Sequence, residues 1–123
     1  MSTSIYLAGP MRGYVDFNKA AFDSATTKLT GMGYKVFSPA ASDINEFGDL
    51  KSRDGDETEL AVQAGMTVQQ LRRHVFEKDL SWICKEADGV VLLPGWEQSK
   101  GALAEKATAE ALGLFVKEYV DFV

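Results

Sequence analysis

The order of elements in this chain predicts an α/β fold: an open, mostly parallel sheet in the order 2-1-3-4 with helices on both faces, flavodoxin- or Rossmann-like. Three observations predict it. Two short apolar runs, Ile5-Tyr6-Leu7-Ala8 and Tyr34-Lys35-Val36-Phe37, flank a segment with helical spacing; strand, helix, strand implies parallel pairing through a right-handed crossover. A third run, Gly89-Val90-Val91-Leu92-Leu93, is almost wholly apolar, as a central parallel strand covered on both faces has to be. The 123 residues, 46% hydrophobic and 25% charged, suit one domain over 1–123 with a core that needs no disulfide.

Each element has its own signals. The first strand stops at Gly9-Pro10 and leads into a loop. Phe17, Ala21, Phe22, Ala25 and Leu29 recur at helical spacing, with Asp16 as N-cap and Gly31 and Gly33 as the stop. The second strand closes at Ser38-Pro39. From Ala40 to Met66 periodicity lapses and acids accumulate: Asp43, Glu46, Asp49, Asp54, Asp56, Glu57 and Glu59. Asp43-x-Asn45 with Gly48 has a trace of a calcium loop, but Phe47 stands at a ligand position. A solvated, mobile excursion suited to a lid is the better reading. Thr67-Val68-Gln69-Gln70 then forms a capping box, with Met66 stapled to Leu71. Leu71, Val75, Phe76, Leu80 and Ile83 carry the helix to about Glu86. After the third strand and Pro94-Gly95, Ser99 opens a helix rich in alanine that stops at Gly113. Leu114-Phe115-Val116 begins the fourth strand, and Tyr119 to Val123 either extends it, forms a short fifth strand or packs as a tail.

Composition narrows the function. With 13 Lys+Arg against 18 Asp+Glu the net charge is −5, and no basic run exists to grip duplex nucleic acid or an anionic membrane. No stretch approaches 18 consecutive apolar residues and no leader stands at the N-terminus, so the expected setting is the cytoplasm. Cys84 and His74 are single, which excludes an internal disulfide and a structural zinc site. Cys84 reads as a small buried hydrophobe and His74 as structural or exposed.

Ligands of such sheets bind beyond the carboxyl ends of the strands, at the switch point between the first and third. Two glycine-bearing loops fall there: Gly9-Pro10-Met11-Arg12-Gly13, and the loop from Pro94 to Gly101 that runs into a helix N-terminus. Neither is a Walker loop or a dinucleotide fingerprint. Asp79 shares its helix face with Val75, Phe76, Trp82 and Ile83, so it points with the apolar stripe. A carboxylate there is costly unless paired or protonated. Glu105 lies beyond the first turn of its helix, among Gly101, Ala102, Thr108 and Ala109, and leans back toward the strand-end crevice. Tyr6 either packs in the core or offers its hydroxyl to the crevice. Trp96, at a loop apex, either stacks on a flat ligand or covers the helix end.

Taken together, Ile5 to Gly13, Asp79-Leu80-x-Trp82, Ala87-Asp88-Gly89-Val90-Val91 and Ser99-x-Gly101-x-x-x-Glu105 resemble the nucleoside 2-deoxyribosyltransferase-like superfamily. Within it the chain is most similar to 2′-deoxynucleoside 5′-monophosphate N-glycosidases and their small bacterial and phage relatives. The resemblance implies Glu105 as nucleophile at C1′, Asp79 as the acid assisting the leaving base, and Tyr6 as the hydroxyl near the sugar and the nucleophile. It implies a substrate-binding set of Gly9, Met11, Arg12, Gly13, Trp96, Ser99 and Gly101, with no metal and no cofactor. It further implies a small-molecule nucleotide or nucleoside as ligand and a homodimer whose C-terminal residues complete the partner's site; those residues have no match here. Base exchange by a deoxyribosyltransferase and a non-catalytic nucleotide-binding module are the alternatives. A cytokinin-activating type of phosphoribohydrolase fits less well, because its Pro-Gly-Gly-x-Gly-Thr signature is missing around Pro94-Gly95-Trp96.

Overall fold

Four parallel strands form the sheet in the computed structural model, which describes residues 2–48 and 54–123. They are β1 (Ser4–Ala8), β2 (Lys35–Phe37), β3 (Gly89–Leu92) and β4 (Phe115–Glu118), in the spatial order β2-β1-β3-β4. Ile5 pairs with Val36 on one side and Gly89 on the other, and Gly89 pairs in turn with Phe115. The expected order and parallel sense are therefore present. Among the described residues the fifth strand is not: Tyr119–Phe122 is a 3-10 turn.

Strand alternation divides the core into two layers. Ile5, Leu7, Val91 and Leu93 face α1 (Lys19–Gly31), which brings Phe22, Ala25 and Leu29. Tyr6, Ala8, Val90 and Leu92 face the opposite way. They meet Ile83 of α4 (Val68–Glu86) and Ala102 and Ala109 of α5 (Lys100–Ala111). The alanines let α5 lie close to the sheet. Asp88 pins the edge of this layer: its Oδ2 accepts from the Ser4 N–H at 2.7 Å. Gly89 leaves room for the Phe115 ring, which lies where a Cβ would be, an aromatic covering a strand glycine.

The capping box at Thr67 and Gln70 forms as its spacing predicts, and Met66 packs on the cluster holding Leu71. Two stretches depart from expectation. The first helix begins at Lys19, because Asp16, Phe17 and Asn18 all take left-handed backbone angles (φ 50°, 55° and 65°). Asp16 therefore does not cap it. The turn instead drives Phe17 into a cluster with Leu60, Ala61 and Leu71. The acidic excursion holds two helices, α2 (Pro39–Phe47) and α3 (Glu57–Gln63), capped by the Ser38 and Asp56 side chains. Asp43 is buried, and residues 49–53 of the excursion lie outside the described residues. Cys84, expected inside, is exposed on α4. No helix among the described residues is long and apolar enough to cross a membrane.

Gly9 has a structural reason to be glycine. A Cβ there would stand 2.8 Å from the Cβ of Leu93, an atom fixed by backbone rather than by a rotamer. Gly9→Ala should therefore destabilise the fold by about 1–3 kcal/mol, the usual cost of overpacking, read as a lowered urea midpoint with an unchanged m-value.

Candidate active site

A cleft of about 580 Å³ opens beyond the carboxyl ends of β1 and β3, lined by β1, the loop after it, α4 and the start of α5, with α2 and α3 as its outer wall. Tyr6, Asp79 and Glu105 all line it and all are buried. The Tyr6 hydroxyl donates to Glu105 Oε2 at 2.6 Å. Asp79 Oδ1 is buried and finds no hydrogen-bond partner among the described residues. Three elements supply these groups: a central strand, a helix packed on the sheet, and the helix beside it.

Tyr6 is held in an aromatic stack. Its ring lies 5.4 Å from that of Phe37, stacked at 16°, and the Phe37 ring lies 4.8 Å from that of Trp82. The Trp of the Asp-Leu-x-Trp segment thus braces, through Phe37 and directly at 6.3 Å, the phenol that reaches Glu105. The sequence alternatives for Tyr6 resolve into both at once: a packed ring and a hydroxyl at the cleft.

Burial sets the electrostatics. Desolvation pushes Asp79 up to about 7, with the Asp43 charge adding to it. It raises Glu105 well above the ordinary carboxyl range too, while the Tyr6 hydrogen bond works the other way. Tyr6 itself is raised by burial and by both acids, and so stays protonated as a donor. Burial thus raises both acids. Their mutual repulsion makes them one coupled unit, in which the first charge disfavours the second.

Gly9, Met11, Arg12, Ser99 and Gly101 also line the cleft. Ser99 caps α5, its side chain accepting from the Ala102 N–H at 3.1 Å. Among the described residues, Gly13 and Trp96 stand outside that lining. The Gly13 N–H is spent on the Gly55 carbonyl at 3.1 Å. Trp96 packs against the α5 layer, donates to Glu118 Oε1 at 3.2 Å and lies under the Lys106 ammonium. It covers the helix end.

Phe17, Asp43, Glu57 and Arg72 are among the lining residues that sequence reasoning did not place at the site. Asp43 pairs with Lys78 at 3.1 Å and is raised chiefly by burial, with Lys78 opposing. Lys78 also holds Glu46, which pairs with His74. The missed signal was Ser38-Pro39, a helix start, followed by Ala40, Asp43, Ile44 and Phe47 on one face. Arg72 stands seven residues before Asp79, two turns along the same helix face. Glu57 lies between Arg72 and Arg12, accepting from Arg72 Nε at 2.9 Å with Arg12 Nη1 at 3.6 Å.

Residues 3–118 match a family described as a domain of unknown function, DUF4406. The chain belongs to DUF4406. No curated protein matches it, and no solved structure does. The match runs from the first strand to the last, so every side chain of the cleft falls inside the DUF4406 segment.

Proton linkage yields a measurement. Folded, Asp79 keeps its proton to about pH 7, whereas the unfolded chain loses it near pH ~4. Stability therefore falls as pH rises through that window, and burial of Glu105 and Asp43 acts with the same sign. Asp79→Asn should be more stable than the parent at pH 8, by roughly 2–4 kcal/mol, and the gap should narrow at pH 5. Urea unfolding at the two pH values checks it.

Proposed function

We propose that this DUF4406 chain hydrolyses the N-glycosidic bond of a 2′-deoxynucleoside 5′-monophosphate, releasing free base and deoxyribose 5-phosphate. The observation that carries the reading is the convergence of Glu105, Asp79 and the Tyr6 hydroxyl on one desolvated cleft. Rupture of a glycosidic bond builds positive charge on the sugar and negative charge on the base, so the chemistry calls for a carboxylate at C1′ and an acid at the leaving base.

Hydrogen bonding divides those roles. The Tyr6 hydroxyl lowers both acids, but its 2.6 Å hydrogen bond is to Glu105 and Asp79 Oδ1 lacks a partner among the described residues, so in this reading the charge of the coupled pair rests on Glu105. Glu105 attacks C1′ as the C1′–N bond breaks, and the proton of Asp79 passes to the base nitrogen. The product is a glycosyl ester on Glu105. Asp79, now a carboxylate, takes a proton from water as that water attacks C1′, and Glu105 leaves as a carboxylate. Both acids return to their starting forms.

Arg12, Met11, the backbone about Gly9, and Ser99 with Gly101 at the head of α5 take the sugar and phosphate in this reading. Arginine with helix N–H groups suits an anion in a protein of net charge −5. The enzyme acts in the cytoplasm on a small-molecule nucleotide, as a homodimer, without metal or cofactor.

Incubation with each of the four common 2′-deoxynucleoside monophosphates, followed by chromatography for free base, tests the reading. Release from at least one is expected. Glu105→Gln should lower kcat about a thousandfold or more, and Asp79→Asn about a hundredfold or more. Activity should decline as pH rises past the Asp79 value near 7. No base from any nucleotide, or full activity in Glu105→Gln, overturns it; base exchange on unphosphorylated nucleosides would replace it with the transferase reading.

A further inference from the structure

Arg12, Arg72 and Lys100 are the cations lining the cleft among the described residues, and two of them converge on one oxygen. Glu57 Oε1 accepts from Nε of Arg72 at 2.9 Å, is in contact with Arg72 Nη2, and lies 3.6 Å from Arg12 Nη1. The two guanidinium side chains are about half exposed (47% and 50%), whereas the Glu57 side chain between them is 17% exposed. The carboxylate thus sits inside the pair, as an anion held between two cations does.

The three residues come from separate elements. Arg12 belongs to the loop after β1, Glu57 opens α3, and Arg72 lies in the first turns of α4. Backbone holds them in place. The Gly13 N–H donates to the Gly55 carbonyl at 3.1 Å, and a Cβ on Gly55 would stand 2.4 Å from the Tyr14 carbonyl oxygen. Asp56 caps the helix that begins with Glu57. Arg72 and Asp79, seven residues apart on one helix, are separated by about 10 Å of helix axis, room for a sugar between a charged group and the acid.

We propose that Glu57 is an internal stand-in for the anionic group of the ligand, and that Arg72 joins Arg12 in binding a phosphate monoester when Glu57 withdraws. This rests on the proposed reaction for the identity of the ligand, and deepens it by naming what selects for the phosphate. The charge balance supports it. Two arginines and Glu57 sum to +1; two arginines alone sum to +2, the complement of a phosphate monoester carrying about −1.5 to −2. A neutral nucleoside has nothing to displace Glu57 with, whereas a dianion competes for both guanidinium groups. Glu57 is then a specificity-determining residue, set against uncharged ligands.

Titration calorimetry with inorganic phosphate as the probe tests this on the full chain. Glu57→Gln should bind phosphate about tenfold tighter than the parent, and Arg72→Gln about tenfold weaker. Arg72→Lys, which keeps the charge but not the fork, should fall between parent and Arg72→Gln. The double variant Glu57→Gln/Arg72→Gln should lose the gain of Glu57→Gln. The opposite signs are decisive, because a pair that merely docks α3 on α4 would make both single variants weaken binding together. Effects of the same sign, or none, overturn the proposal. Base release plays no part in this readout, so hydrolysis can fail while the phosphate result stands, and the reverse.

Discussion

Removing a carboxylate from water costs several kcal/mol unless a partner or a proton replaces its hydration, and this chain does so at Asp43, Asp79 and Glu105 around a single cleft. Each is accommodated differently. Asp43 has the Lys78 ammonium, Glu105 has the Tyr6 hydroxyl, and Asp79 has a proton held to about pH 7. A fold selected for stability alone would place apolar side chains at these positions. Three buried acids facing one another also repel, so the neutralisation of each depends on the others. The chemistry proposed for the cleft draws on that mutual dependence: an acid that holds its proton at neutral pH can donate it, and a buried carboxylate without a solvent shell can attack.

The sheet makes such a site possible. Tyr6 lies in the middle of β1, flanked on both edges by other strands, so its backbone is fixed on both sides. Its ring is then fixed by Phe37 and Trp82. Only the hydroxyl remains to be placed, and it reaches α5 through Glu105. One phenol consequently links the central strand, the neighbouring strand and the two helices of that layer. Substituting it would disturb packing and acid chemistry together, which is why the charge on the acids is the cleaner variable to alter.

Much of this was legible in the sequence, and the limits have physical causes. Apolar runs at Ile5, Val36 and Gly89, with helical periodicity between them, specify a parallel sheet because that periodicity is a direct image of burial. Asp79 and Glu105 were legible because each is a charge on an apolar or small-residue face, a local contradiction that needs a reason. Asp43 was read as a solvated acid of the excursion rather than as a buried acid of the cleft. Its helix is nine residues long, too short for periodicity to stand out from the surrounding acids, and its partner Lys78 is 35 positions away. Arg72 and Glu57 escaped for the same reason, their pairing being a tertiary fact. Trp96 erred in the opposite direction: an aromatic at a loop apex suggests a ligand, but the strand that follows α5 supplied Glu118 and the helix supplied Lys106 to hold it.

The left-handed turn at Asp16, Phe17 and Asn18 joins the two halves of the cleft. Each non-glycine residue in that conformation costs about 1–2 kcal/mol, so three in succession need compensation. Phe17 supplies part of it by burying its ring with Leu60 of α3 and Leu71 of α4, and Asn18 supplies more by donating to the Pro10 carbonyl at 3.0 Å. The first contact ties the loop that carries Arg12 to the elements that carry Glu57 and Arg72, and the second closes that loop on itself. An ordinary helical entry at Phe17 would point the ring elsewhere and take it out of the cluster that Leu60 and Ala61 of α3 share with Leu71. The strain is therefore spent on geometry: it holds the wall formed by Arg12, Glu57 and Arg72 against the sheet-borne acids.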